Sequence, residues 1–146
     1  MALNGLGSAL FALQNLESAK ARFAAAVQVD PDHAGYRYNW ALALAALGEF
    51  GAALREFEIV RERQCESAAL ANNFGILYVE TGEAAKGEAE FRKAMELAPR
   101  DAGGYLNLAT LYQKTNRAAQ ARDILRELLK AVPGQPQALR MLGSRY

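Results

Sequence analysis

Residues 34–67 read AGYRYNWALALAALGEFGAALREFEIVRERQCES, and the order of large and small side chains within them decides the fold. Trp40, Leu44 and Leu47 recur at helical spacing on one face, and Gly48 follows as a residue that takes the left-handed conformation ending a helix. Phe50, Ala53, Leu54, Phe57 and Val60 then resume the same period, which predicts a second helix antiparallel to the first after a short turn. Ala41 and Ala53 are small enough to let the two backbones approach closely.

The same design returns at intervals of 34 residues. Phe23, Phe57, Phe91 and Leu125 form one series, and Leu6, Trp40, Phe74, Leu108 and Leu142 form another. Small residues keep step with them: Gly7, Ala41, Gly75, Ala109 and Gly143 in one phase, Ala19, Ala53, Gly87 and Ala121 in a second. Gly82 ends a first helix as Gly48 does, and Asn116, the other residue that tolerates a left-handed backbone at low cost, stands at the next such stop. Strand-like alternation is absent and the 4 prolines all lie at repeat joints, so the chain is expected to be helical throughout and to form a stacked array rather than one globular core.

These residues resemble the tetratricopeptide repeat (TPR) family over nearly the whole chain. The resemblance rests on Trp40, Ala41, Leu44, Ala53, Phe57 and Val60 in one unit and on Phe74, Gly75, Tyr78, Gly87, Phe91, Ala94 and Pro99 in the next. A weaker first unit carries Leu3, Leu6, Gly7, Leu10, Ala19, Phe23, Ala26 and Pro31. It implies an all-α fold, an α-solenoid of antiparallel helix pairs wound as a right-handed superhelix. Repeats 1–33, 34–67, 68–101 and 102–135 would form a single array, followed by a capping or partial-repeat helix at 136–146. Gln137, Arg140, Ser144 and Arg145 supply polar residues for the outer face of such a cap. Two positions depart from the family pattern. Cys65 replaces the joint proline, and Arg37 stands where a large apolar residue is usual, a loss that Tyr36, Tyr38 and Trp40 are expected to cover.

Composition excludes several function classes. A formal net charge of +1 argues against a general nucleic-acid binder, which presents a clustered basic face. The balance is uneven, with 10 Lys or Arg against 14 Asp or Glu up to residue 101 and 7 against 2 from residue 102 onward, although Arg122, Arg126 and Lys130 are expected on an outer helix face. Cys65 is the single cysteine, so neither an intrachain disulfide nor a cysteine metal cluster can form. His33 stands alone at a joint beside Asp30, Pro31 and Asp32, a solvated turn without convergent catalytic partners. Acid pairs such as Glu88 and Glu90 read as surface ion-pair partners, Lys86 with Glu90 and Glu88 with Arg92. No apolar run approaches the ~20 residues that span a bilayer, so no membrane insertion is expected. The chain is expected to be non-catalytic, to need no cofactor or metal, and to act in the cytoplasm, or in the periplasm should a signal segment have been removed.

Asn39, Asn73 and Asn107 form the remaining series, each in the middle of a helix where asparagine costs up to ~0.7 kcal/mol relative to alanine. In the family the first helix of each pair lines the inner wall. The inner positions are then Gly35, Tyr38, Asn39, Leu42 and Ala46, next Ala69, Asn72, Asn73, Ile76 and Glu80, and next Gly103, Leu106, Asn107, Thr110 and Lys114, with Arg140 and Met141 from the last helix. The resemblance further implies that asparagines in this phase hold the backbone of a bound peptide, because a carboxamide offers both donor and acceptor to a peptide unit. The alternative is that each amide bonds a neighbouring helix or water. Lysine and arginine do not flank the asparagines at Tyr38, Leu42 or Gly103, which speaks against a clamp for a chain-terminal carboxylate. The expected function is a protein interaction module for an extended, partly hydrophobic peptide. A scaffold that self-assembles through its terminal helices, and a targeting or regulatory arm of a larger enzyme such as a transferase, are the alternatives.

Overall fold

The structure, a computed structural model, describes residues 16–63 and 66–143, which form eight α-helices and, among the described residues, no strand. The helices are α1 (Leu16–Val29), α2 (Ala34–Ala46), α3 (Phe50–Arg63), α4 (Ala68–Glu80), α5 (Ala84–Leu97), α6 (Ala102–Lys114), α7 (Ala118–Ala131) and α8 (Pro136–Gly143). They fall into two compact units, Met1–Cys65 and Glu66–Tyr146. The expectations placed on Leu3, Leu6, Gly7 and Leu10, and on Cys65, Ser144 and Arg145, lie outside the described residues.

Helix starts keep the period of the sequence, and their chemistry explains where each begins. The helices α2, α4 and α6 follow His33, Ser67 and Asp101, whose side chains accept the backbone N–H of Tyr36 (3.2 Å), Leu70 (3.1 Å) and Gly103 (3.2 Å). Ahead of α8, Gln135 Oε1 accepts the N–H of Ala138 at 2.8 Å. Each cap satisfies one of the four donors a helix start leaves unpaired. His33, expected as a solvated turn residue, is exposed but also stacks on Tyr36 at 3.7 Å. First helices stop where the backbone turns left-handed, at Gly48 (φ 82°), Gly82 (φ 84°) and Asn116 (φ 60°).

In the unit Met1–Cys65, α1 packs on α2 and α2 on α3. Ala19, Phe23, Ala53, Phe57 and Val60 are buried at this seam, as their phases predict. Arg37 is accommodated differently from expectation. Its Nη1 meets Glu56 Oε1 at 2.7 Å, with only 15% of either side chain exposed, and its Nε donates to the Pro31 carbonyl at 3.0 Å. A charge-assisted pair, rather than neighbouring aromatics, settles the cation at an apolar phase.

In the unit Glu66–Tyr146, α4 packs on α5, α5 on α6, α6 on α7 and α7 on α8, while α4 also touches α6. Phe91, Leu108, Tyr112, Ala121, Leu125 and Leu128 fill its core. The crossing of α4 and α5 is especially tight, since a Cβ at Gly87 would lie 2.9 Å from the Gly75 carbonyl oxygen. Gly143, in the same small-residue phase as Gly75, is instead exposed at the end of α8.

Of the two ion pairs read from the sequence, one forms and one does not: Arg92 Nε lies 3.6 Å from Glu88 Oε2, as expected. Lys86 bonds Glu83 at 2.9 Å rather than Glu90, which is buried and faces Lys93. Glu88 lies at the meeting of α5 with α6 and the α6–α7 turn rather than on an open surface. It accepts the Tyr112 hydroxyl at 2.8 Å and Arg117 Nη2 at 2.9 Å, while Arg92 donates to the Tyr112 oxygen at 2.7 Å. Burial pushes the Glu88 carboxyl up, but the hydrogen bonds from Tyr112 and Arg117 and the charges of Arg117 and Arg92 outweigh it and hold it below its ordinary value. This cluster fastens α6 to α5.

Candidate functional site

The first helices of the unit Glu66–Tyr146 are α4, α6 and α8, and their shared phase determines which side chains stay open. On α6 the seams bury Tyr105, Leu108, Ala109, Leu111 and Tyr112. That leaves Leu106 and Asn107 half-buried and Thr110 and Lys114 exposed, on the face away from α7. On α4, burial of Leu70, Ala71, Phe74 and Leu77 leaves Asn72 and Asn73 half-buried and exposes Ile76 at 43%. On α8 only Ala138 is buried, and Arg140 is exposed beside half-buried Met141.

Two adjoining hollows follow this face. One, of about 100 Å³ between α4 and α6, is lined by Ile76, Val79, Glu80, Phe91, Asn107, Thr110, Leu111 and Lys114. The other, about 480 Å³ between α6 and α8, is lined by Gly103, Leu106, Asn107, Thr110, Gln137, Arg140 and Met141. Asn107 and Thr110 line both, so the two hollows flank these residues of α6 and are together called the channel. Of the expected binding residues, the structure therefore brings together Ile76, Leu106, Asn107, Thr110, Lys114, Arg140 and Met141, with Asn72 bonded to Asn107 at the same face.

The carboxamides are not idle. Asn107 Nδ2 donates to Asn72 Oδ1 at 3.2 Å, a bond between α6 and α4 that uses one of the amide's two protons. Asn39 and Asn73 also have partners within the protein. That bond leaves the Asn107 carbonyl and its second amide proton for a ligand. Gln137, exposed on the last helix as Arg140 is, also lines the channel beside it, a position that the sequence reading did not assign to it. Its phase contained the signal, since it stands one repeat beyond Gly103, an inner position.

In the unit Met1–Cys65 the corresponding phase of α2 carries Tyr38, Asn39 and Leu42, all half-buried. Tyr38 sets its ring edge-on to Phe57 at 5.4 Å, so part of it serves the α2–α3 seam. Among the described residues no group of three or more His, Cys, Asp or Glu side chains could hold a metal ion, and no helix is long and apolar enough to cross a membrane.

Paired antiparallel helices with caps, stops and small-residue contacts at one period define an α-helical repeat protein whose first helices carry the open face. The tetratricopeptide repeat family profiles match residues 4–59, 38–102 and 78–144, and the chain belongs to that family. No functionally curated protein matches it. Its fold is similar to that of TTC0263, a thermophilic TPR protein of Thermus thermophilus, at 22% identity and TM-score 0.84, covering 98% of this chain and 79% of that one. It is also similar to pilF of Pseudomonas aeruginosa, at 21% identity and TM-score 0.77 over 98% and 68% of the two chains. YrrB, described as a TPR protein with an unusual peptide-binding site, matches at 18% identity and TM-score 0.72 over 99% and 74%. The fold is that of a protein–protein interaction module, a class whose members are generally non-catalytic.

Proposed function

We propose that the unit Glu66–Tyr146 receives an extended, partly hydrophobic peptide segment of a partner protein along the channel formed by α4, α6 and α8, and that it does so without catalysing a reaction. The observation that carries this reading is the pair of hollows sharing Asn107 and Thr110, with exposed Ile76 on one side and Met141 on the other. Polar bonds alone are too weak. Two or three net hydrogen bonds at ~0.5–1.5 kcal/mol each fall short of the roughly 8 kcal/mol that micromolar affinity needs. Burial of Ile76, Leu106 and Met141 at about 25 cal/mol per Å² supplies the larger share, and the Asn107 amide sets the register of the peptide backbone.

Selection from a random twelve-residue peptide display library on the immobilised protein tests this, followed by competition with Ile76→Asp and Asn107→Ala. Selected peptides are expected to lose most binding to Ile76→Asp and a few-fold to Asn107→Ala. Undiminished binding to both variants would contradict the reading.

One further observation favours self-association as a second reading. Leu139 on α8 is 50% exposed, whereas Tyr105, in the same phase of α6, is 6% exposed. A face covered in α6 is thus open on α8, and a second copy stacking there would cover it. Light scattering across a hundredfold concentration range distinguishes the two, since a constant monomer mass removes the second reading.

A further inference from the structure

We infer that the segment received by this channel carries an acidic side chain, Asp or Glu, over the α6–α8 hollow, adjacent to an apolar side chain; the inference rests on the peptide-binding reading above. Among the described residues Arg140 is the single formal charge lining that hollow, amid Leu106, Asn107, Thr110, Gln137 and Met141. Lys114, one helical turn beyond Thr110, adds a second cation from the adjoining hollow. Both are exposed. Among the described residues neither has a carboxylate partner, the ion pairs of this unit being made by Lys86, Arg92, Lys93, Arg117 and Arg126.

Occupancy turns these two cations into a filter. A wholly apolar or basic segment lying over Leu106 and Met141 would strip water from Arg140 and return no counter-charge, which disfavours it. A carboxylate in the same place accepts a charge-assisted, bidentate hydrogen bond from the guanidinium, while its neighbour rests on the Leu106 and Met141 side chains. Direction follows as well. Glu80 and Lys114 line the α4–α6 hollow together and balance each other, whereas Arg140 has no opposite charge beside it in the α6–α8 hollow, so the net positive charge lies toward α8. The acidic residue therefore belongs at the α8 end of the bound segment and a neutral one at the α4 end.

Three fluorescein-labelled peptides with leucine at alternate positions and Asp, Asn or Lys between them test the inference by fluorescence anisotropy. The proteins are the wild type, Arg140→Glu, Lys114→Glu and Ile76→Asp. The wild type is expected to bind the Asp peptide best and the Lys peptide worst, with the spread narrowing as ionic strength rises. Arg140→Glu should weaken the Asp peptide by about three- to tenfold and strengthen the Lys peptide. Circular dichroism should show both charge variants folded, since neither side chain has an internal partner to lose. Equal binding of all three peptides, with loss on Ile76→Asp, overturns the acidic preference while the peptide-binding reading stands. An Asp preference unchanged by Arg140→Glu and Lys114→Glu overturns it too, by placing the acid elsewhere. Failure of every peptide to bind overturns both.

Discussion

Gly87→Ala pits repeat periodicity against local geometry. Alanine occupies the same phase at Ala19, Ala53 and Ala121, and replacing a helical glycine by alanine gains up to about 1 kcal/mol in propensity. Periodicity alone would therefore make the change stabilising. The structure predicts the reverse, because the facing residue co-varies along the chain. Ala41 accompanies Ala53 and Ala109 accompanies Ala121, whereas Gly75 accompanies Gly87. A Cβ added at Gly87 would stand 2.7 Å from Val79 Cγ2 and 2.9 Å from the Gly75 carbonyl oxygen, and a backbone oxygen cannot rotate aside. A Cβ at Gly75 would fall 2.4 Å from Cε1 of buried Phe91, so the two helices are as close as a glycine pair allows. Overpacking of this kind costs about 2 kcal/mol at the middle of its usual range, and less a propensity gain of about 1 kcal/mol the net is roughly 1 kcal/mol of destabilisation. For a unit of this size, at about 4–8 °C per kcal/mol, the thermal midpoint should fall by roughly 4–8 °C. Far-UV circular dichroism during thermal and urea unfolding reads it. An unchanged or raised midpoint would show that α4 and α5 separate freely, and would refute the argument.

Other expectations follow from the turns and the ionic cluster. Asn116→Ala places a Cβ-bearing residue without a compensating amide at φ 60° and should destabilise by about 1 kcal/mol, whereas Asn116→Gly should be close to neutral; urea unfolding distinguishes them. The Glu88 carboxyl, depressed in the folded state, stabilises fully above its unfolded value of about 4.3, and that contribution is lost as pH falls through the lower folded value. Glu88→Gln should accordingly be the less stable protein at neutral pH, with the gap to wild type narrowing below about pH 4; urea midpoints measured from pH 7 to pH 3 check this.

The sequence makes the fold legible because a repeat exposes the same physical requirement several times. A large residue at Phe57, Phe91 and Leu125 and a small one at Ala53, Gly87 and Ala121 are interpretable together where any one alone is ambiguous. Requirements met by different chemistry at each repeat are harder to see. His33, Ser67, Asp101 and Gln135 all cap a first helix, yet they share only an acceptor atom and a position. Arg37 departs from an apolar phase and is settled by Glu56, a residue on the next helix whose proximity depends on the turn between them. The cluster at Glu88 escaped a one-helix reading for the same reason, since its partners Tyr112 and Arg117 come from α6 and the turn after it. At the candidate site, the open positions of α4 and α6 follow from their phase, whereas the bond from Asn107 to Asn72 depends on the distance between two helices.

The most direct test of the receptor account is two-dimensional ¹H–¹⁵N NMR of the carboxamide groups during titration with an acidic, leucine-containing peptide. The account predicts that the side-chain NH₂ signals of Asn72, Asn107 and Gln137 shift in step with the backbone amides of Ile76, Thr110 and Met141. Shifts confined to α5 and α7, with those three carboxamides unmoved while the peptide binds, would contradict it.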